Sequence, residues 1–593
     1  LLAFFAVFAL ANRVRYQEVA LELDETWEIV GRAPADQELK VRFALHQHNL
    51  DVLERTFMSV SDPTHPDFHK YWTKEQIMEL VSPPLADQKL VVAWALESGC
   101  SSAESFGDFV EVLCPVSSLE SMLGDVEITM VNDVRLNQTT PKIITGEYSL
   151  PRAISRVVEF VQNLAMNVHK RKLNSFRVPS RVSDTIRETA RPRYQQPSED
   201  QVIPATLYNL YNIDHTISTA SSQSVAEFSN FGYLDSDLEA YDTGCAVPTP
   251  NKISAVGSFS PSPPNVECTL DVQMITSVGL NGTNFYYTVD GWVLDFAQEL
   301  LQSNNPPMVN SISWSSDERT EGYSYNSRTD TEWQKLGTMG VSVLAASGDD
   351  GAVGTSRCSG NHWYFNPGYP ATSPYITSVG ATMLVGKPTT SSTEAPVCSE
   401  VGHTCAMDGT EEPADENLGG YATGGGFSVY ETRPSYQNTA VNQYLNDNSI
   451  PKPPASYFNS SNRGFPDVAA NGYNILIYRG GRWETVGGTS AATPIWGGVF
   501  ALINDVLLSN QKQPLGFANP FLYSMFANGA GTFTNIGDLT TNNDDGCQYG
   551  YTSNPNGWDP VCGLGTPNVG KILAYVQSNL SMFPQTKLQQ ITP

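Results

Sequence analysis

Between residues 224 and 347, short apolar runs alternate with stretches of helical period: SVAEFSNF, VECTLDVQMITSVG, WVLDFAQELLQS, PMVNSISWS, TEWQKLGTMG and VSVLAAS. Strands that are apolar nearly throughout and separated by helices must be covered on both faces, which predicts a parallel sheet in an α/β fold. Ligands of such sheets bind beyond the carboxyl ends of the strands. Asp349, in the loop ASGDDGAVG directly after VSVLAAS, is therefore expected on the functional rim.

A chain of 593 residues exceeds the roughly 250 to 300 residues at which single cores stop growing, so further domains are expected. Residues 12–165 mix amphipathic and alternating segments such as WEIVGR, KVRFALHQ and KEQIMELVS, and predict a compact α+β domain. Residues 166–197, which include KRKLNSFRVPSRVSDTIRETARPRYQQP, turn basic and poor in large apolar side chains. They predict an exposed linker open to proteolysis, with an activation cleavage near 190–200. The α/β part then runs over 198–593. A low-complexity insert, KPTTSSTEAPVCSEVGHTCAMDGTEEPADENLGG, interrupts it, and no internal repeat is evident.

Residues 1–11, LLAFFAVFALA, have the apolar run and A-x-A exit of a signal peptide and are too short to span a bilayer. The expected destination is the extracellular space or a lysosomal or vacuolar lumen. In such a compartment nine cysteines favour disulfides. Cys100 and Cys114 are candidates to pair in the first part, and seven more leave an odd one over in the second. Asn137, Asn281, Asn459 and Asn579 head N-x-S/T acceptor sites for glycosylation. The formal net charge is -27: the first 200 residues carry 21 Lys and Arg against 28 Asp and Glu, the rest 14 against 34. So acidic a surface argues against nucleic acid as a partner. A low density of basic groups also limits cationic self-repulsion in acid.

The run Gly487-Gly488-Thr489-Ser490-Ala491-Ala492-Thr493-Pro494 sets a serine between a glycine turn and an apolar helical stretch. A helix starting there aims N–H groups and its positive dipole end at any anion formed beside it. A nucleophilic serine needs a base. Beyond residue 198 the histidines are His215, His362 and His403, none in a context that suggests a catalytic imidazole. Glu267 and Asp271, four apart in NVECTLDVQ, share one face of a helix, where one carboxyl holds its proton tightly while the other can accept one. Asp349 can donate a hydrogen bond to an oxyanion if it stays protonated. These residues suggest a serine peptidase that works in acid. Asp538 in TNIGDLTTNNDDG and Asp559 in NPNGWDPVCGLGTPN, set among turns that free backbone carbonyls, suit a hard cation such as calcium.

Taken in order, E-x-x-x-D, SGD, GGTSAATP and GWDPVCGLGTP resemble the sedolisin family of serine-carboxyl peptidases. SDPTHPDFHKYWTKEQIMELVSP looks like that family's prodomain, and TLYNLYNI resembles the opening of its mature enzymes. GGGFSVYETRPSYQ and SYFNSSNRGFPDVAA bring the chain nearest to the lysosomal tripeptidyl peptidase branch and its fungal relatives. The resemblance implies a subtilisin-like core, with Glu267 as general base, Asp271 as its orienting partner, Ser490 as nucleophile and Asp349 as oxyanion acid. It further implies one structural calcium ion held by the carboxylates of Asp538 and Asp559 and the carbonyls of Leu539, Pro555 and Gly557. Family members often carry Ile or Val where Leu539 stands and Gly where Pro555 stands.

The expected function is release of tripeptides from free N-termini of polypeptides, by a self-activating zymogen whose own prodomain inhibits it. No membrane partner is expected. An acid endopeptidase is the alternative within the class, and an inactive secreted binding relative the alternative outside it. The insert at about 387–418, with Cys398 and Cys405, departs from the lysosomal pattern and bears on the shape of the cleft.

Overall fold

The computed structural model describes residues 13–164 apart from 22, 24–26 and 135–137, the pieces Arg171–Lys172 and Phe176–Arg177, residue 198, and 200–585 apart from 249–250, 355–364, 387–390, 393–394, 401–404 and 544–546. The apolar N-terminal run, Asn137, Cys358, His362, His403 and most of the linker lie outside the described residues. The chain divides into two compact units. One comprises residues 1–56, 72–169 and 320–325; the other comprises 57–71, 170–319 and 326–593.

The first unit is built on an antiparallel sheet in which Glu38–Leu45 lies between Phe109–Pro115 and Val158–Gln162, with Ser102–Ser105 at the edge. Its central strand is buried continuously from Val41 to Leu45. Helices Lys74–Val81 and Leu85–Glu97 belong to the same unit. The first opens on a reciprocal cap, in which the Gln76 N–H donates to the Thr73 hydroxyl and the Thr73 N–H to the Gln76 side chain. Cys100 and Cys114 are joined by a disulfide.

The second unit contains the sheet that the apolar runs predict. Its strands in chain order are β1 (Ser222–Phe228), β2 (Ile253–Val256), β3 (Thr283–Val289), β4 (Val309–Ile312), β5 (Ser342–Ala346), β6 (Thr377–Val385), β7 (Thr410–Pro413) and β8 (Val468–Asn471). They pair parallel in the order β2-β3-β1-β4-β5-β6, and β6 pairs in turn with β8 parallel and with β7 antiparallel. Every residue of β4, β5, β6 and β8 is buried, the expected signature of strands covered on both faces.

Two helices dominate the covering layers. The segment VECTLDVQMITSV forms α1 (Val266–Val278), buried from Glu267 to Val278. TSAATPIWGGVFALINDVLLS forms α2 (Thr489–Ser509), buried from Thr489 to Leu507. Neither has the one-sided apolar stripe of a surface helix, because each is enclosed all round. At 21 residues, α2 also has the length and apolarity of a membrane span, but it lies inside the protein as a core helix. The two helices meet closely at Gly498, where a Cβ would stand 2.6 Å from the Gly279 nitrogen and from the Val278 Cβ. No side chain fits that gap.

Three segments behave differently from a simple reading of the chain. Phe57–Tyr71, within the stretch read as a prodomain, packs into the second unit, where the Tyr71 hydroxyl donates to the Leu515 carbonyl at 2.8 Å. Two pieces of the basic linker are strands: Arg171–Lys172 pairs antiparallel with Ser315 and Trp314, and Phe176–Arg177 with Gly487 and Val486. The insert closes on a Cys398–Cys405 disulfide, and the Ala406 N–H donates to the Gln201 carbonyl at 2.9 Å.

Candidate active site

Glu267 sits in the first turn of α1, whose start is set by Asn265: its side-chain oxygen accepts the Glu267 N–H at 2.8 Å. Asp271 follows one turn later, and both carboxyl groups are wholly buried. Asp271 is tied to the nucleophile helix through Ser313, just past the end of β4. The Ser313 hydroxyl lies 3.0 Å from Asp271 Oδ1 and 3.3 Å from the Ser490 carbonyl oxygen, either of which can accept its proton. Ser490 is the second residue of α2, fully buried, and its Oγ makes no hydrogen bond.

Asp349 lies three residues past β5, on the rim where the strand pattern places it. The loop that carries it is braced from the main chain: Gly424 N–H donates to the Gly348 carbonyl at 2.6 Å and Ala422 N–H to the Asp349 carbonyl at 3.2 Å. The Thr489 N–H and hydroxyl both donate to Asp349 Oδ1, at 2.7 and 2.8 Å. Burial pushes the Asp349 carboxyl up to about 8 against those two bonds, and the charges of Asp350 and Glu267 push the same way as burial. Asp349 is therefore a neutral acid throughout the acid range. The four residues singled out from sequence thus converge: Asp271 and Ser490 share Ser313, Asp349 bonds the residue before Ser490, and Glu267 is near enough to act on Asp349 electrostatically.

Ser313 and Thr489 were not singled out from sequence. A buried serine at a strand end and a threonine at a helix start have ordinary structural uses, and only the fold shows what theirs are. His215 is engaged elsewhere, its Nε2 2.8 Å from Asp505 Oδ2. Asp505 lies on α2 about 22 Å along the axis from Ser490, at 1.5 Å per residue. His215 is thus no base for Ser490.

The loops of Asp538 and Asp559 come together. A Cβ on Gly537 would stand 2.3 Å from the Asn554 carbonyl carbon, so only glycine allows this approach. Asp559 is buried and accepts N–H groups of Asn554, Val561 and Cys562 at 2.8 to 2.9 Å. Burial nonetheless pushes its carboxyl up to about 7. A bound dication is the kind of neighbour that would hold such a group ionised. Leu539 has φ 70, a left-handed turn that is unusual for a branched residue. The Gly557 carbonyl already accepts the Asn535 side-chain amide at 2.8 Å, which leaves one lone pair. Among the described residues no group of three or more His, Cys, Asp or Glu forms a metal cluster, so any ion here depends on main-chain carbonyls. The residues fit a hard cation on those terms. Sequence reading missed Glu412 near this place: burial pushes its carboxyl up to about 7, and Asp538 and Asp415 add to that.

Fold and site together define a peptidase of the subtilisin-like α/β class, with carboxyl groups gathered around a serine at a helix start. Comparison with known proteins narrows the class. Residues 25–166 match the pro-kumamolisin activation domain and residues 270–513 the subtilase family. The chain is 36% identical to physarolisin of Physarum polycephalum over 93% of this chain and 96% of that protein. It is 33% identical to tripeptidyl-peptidase 1 of Homo sapiens over 92% and 93%. The structure of Pseudomonas sedolisin, a serine-carboxyl proteinase complexed with pseudo-iodotyrostatin, superposes with TM-score 0.51 at 22% identity, covering 64% of this chain and 99% of that one. The chain belongs to the sedolisin family of serine-carboxyl peptidases, and is a zymogen with an activation domain of the pro-kumamolisin type.

Proposed function

We propose that this peptidase works in acid and releases tripeptides from free N-termini of polypeptides, with Ser490 as nucleophile, Glu267 as general base, Asp271 as its partner and Asp349 as oxyanion acid. Glu267 takes the Ser490 proton as Oγ attacks the peptide carbonyl, and the protonated Asp349 donates a hydrogen bond to the oxyanion. Glu267 then returns the proton to the leaving amine, and water, activated in the same way, hydrolyses the acyl-enzyme. The observation that carries the reading is the neutral Asp349 held against the residue that precedes Ser490. Because Glu267 must be ionised while Asp349 stays protonated, activity should follow a bell-shaped curve against pH.

The linker supports a polypeptide substrate. Its backbone pairs as short strands with Trp314–Ser315, next to Ser313, and with Val486–Gly487, just before Ser490. An extended chain is thus accommodated by main-chain pairing on both flanks of the site, the mode by which strands are added to an exposed edge. Tripeptidyl action is supported by the 33% identity to tripeptidyl-peptidase 1. Endopeptidase action is the second reading. Mass spectrometry of digests of one peptide with its N-terminus free and blocked, by the processed protein and by Ser490→Ala, tests all of this. Tripeptides from the free peptide alone support the proposal; fragments from both favour the endopeptidase; equal products from Ser490→Ala would remove the assignment.

One calcium ion at Asp538 and Asp559, with the carbonyls of Leu539, Pro555 and Gly557, is proposed as structural. Location in the extracellular space or in a lysosomal or vacuolar lumen is supported by the disulfides Cys100–Cys114 and Cys398–Cys405. Asn281 and Asn459 are exposed, as glycan acceptors must be.

A further inference from the structure

The two carboxyl oxygens of Asp349 stand in different surroundings. Oδ1 accepts both the main-chain N–H and the hydroxyl of Thr489. Oδ2 is buried and has no hydrogen-bond partner. The Thr489 hydroxyl itself accepts the Gly348 N–H at 3.2 Å, which commits its single proton to Asp349. Chain geometry enforces the arrangement. Thr489 is the first residue of α2, so its N–H has no acceptor within the helix, and Gly348 and Asp349 are consecutive in a braced loop.

A carboxylic acid can carry its proton on either oxygen. An oxygen that already receives two donors has no favourable place for a proton of its own, so the neutral acid carries it on the other. We propose that Thr489 is a positioning residue that saturates Oδ1 and thereby fixes the Asp349 proton on Oδ2, presenting one oriented O–H to the developing oxyanion. The inference rests on the reading of Asp349 as the oxyanion acid. No proton leaves Asp349 during turnover, and Thr489 acts only through it.

The same two bonds have a second effect. Donors to Oδ1 favour the ionised carboxylate, so Thr489 lowers the pH at which Asp349 gives up its proton. Among the described residues, the other titratable groups facing Asp349 are Asp350 on its own loop and Glu267 from α1, which favour the protonated acid, and the Tyr421 phenol, which burial keeps neutral. Removing the Thr489 hydroxyl should therefore impair catalysis while extending it to higher pH, a combination that general loosening of the fold does not produce.

The test compares kcat and KM across pH for the processed wild type, Thr489→Val and Thr489→Ser, with Asp349→Ala as a control on the underlying reading. In Thr489→Val, kcat should fall about tenfold with KM within about twofold. The alkaline limb of the profile should move up by about 1 pH unit, the size expected for losing a hydrogen bond to a charged group. Thr489→Ser, which keeps the hydroxyl, should restore both. If Thr489→Val does not fold, Thr489→Ala replaces it, since it lacks the same group. An unchanged kcat and alkaline limb in the hydroxyl-free variant, or a Thr489→Ser as impaired as that variant, would overturn the role of Thr489 alone. Near wild-type rates in Asp349→Ala would instead overturn the reading of Asp349.

Discussion

At the scale of single residues, burial does the chemical tuning. Asp349 stays neutral because water is excluded from it, and the bonds from Thr489 only moderate that effect. Glu267 is wholly buried at the start of a core helix, four positions from a second buried acid. We expect Glu267→Gln to abolish peptide hydrolysis and self-cleavage, with kcat lower by several orders of magnitude and an unchanged melting temperature. The amide is close in shape but cannot take the serine proton, and groups that act as a unit are each costly to lose. His215→Ala, by contrast, should keep most of the peptidase rate, since its partner Asp505 lies at the far end of α2. Single-turnover assays of both variants in acid decide the matter. An active Glu267→Gln beside a folded, dead His215→Ala would return the protein to serine-histidine chemistry.

At the scale of elements, the site depends on how closely chain segments approach. α1 and α2 meet where Gly498 leaves no room for a Cβ, and the loops of Asp538 and Asp559 meet where Gly537 leaves none. A calcium ion tying those two loops would stabilise the folded state by mass action, by about 2.7 kcal/mol at a hundredfold excess over its dissociation constant. Chelation should accordingly lower the melting temperature of the wild type. Asp559→Ala should melt lower from the outset and no longer respond to chelator. Calorimetry with and without calcium checks both, and a wild type indifferent to chelator would remove the ion.

At the scale of the whole molecule, two buried carboxyl groups make part of the stability depend on acid. Burial raises the Glu318 carboxyl to about 7, against hydrogen bonds from Ser428 and the Val429 N–H, and raises Asp349 to about 8. The folded protein holds these protons more tightly than the unfolded chain does. The contribution of these two groups to stability is therefore fully present below about pH 4 and is lost as pH rises through 7 to 8, with Glu318 alone worth about 3 kcal/mol, whereas His69, which burial holds down to about 3, acts in the opposite sense in acid. Melting curves at pH 4.5 and 7.5 should show Glu318→Gln losing less stability between them than the wild type. Maturation is the second property at this scale. Ser198 N–H donates to the Leu384 carbonyl at 2.8 Å, and Val202 exchanges bonds with Asn474 and Leu476 at 2.9 Å. Residues from Ser198 onward are thus stitched into the second unit, and N-terminal sequencing after acid incubation should find a start between residues 190 and 198. A start inside 199–203 would contradict it.

Local pattern made much of this legible. The strands β1, β4 and β5 appear as apolar runs because both their faces are covered, and Ser490 and Asp349 stand out because a helix start and a strand end are marked by glycine. The four-residue spacing of Glu267 and Asp271 is a property of any helix. By itself, then, the sequence determined the α/β class, since that follows from periodicity along the chain, and it singled out three acids and one serine as candidates without showing that they meet. The tertiary structure alone decided that Ser313 joins Asp271 to Ser490, that Thr489 loads one oxygen of Asp349, that Phe57–Tyr71 packs with the second unit and that linker strands pair beside Ser313 and Ser490. Those contacts join residues tens to hundreds of positions apart. Their energies come from burial and hydrogen-bond geometry that exist only once the sheet and its helices have closed around them.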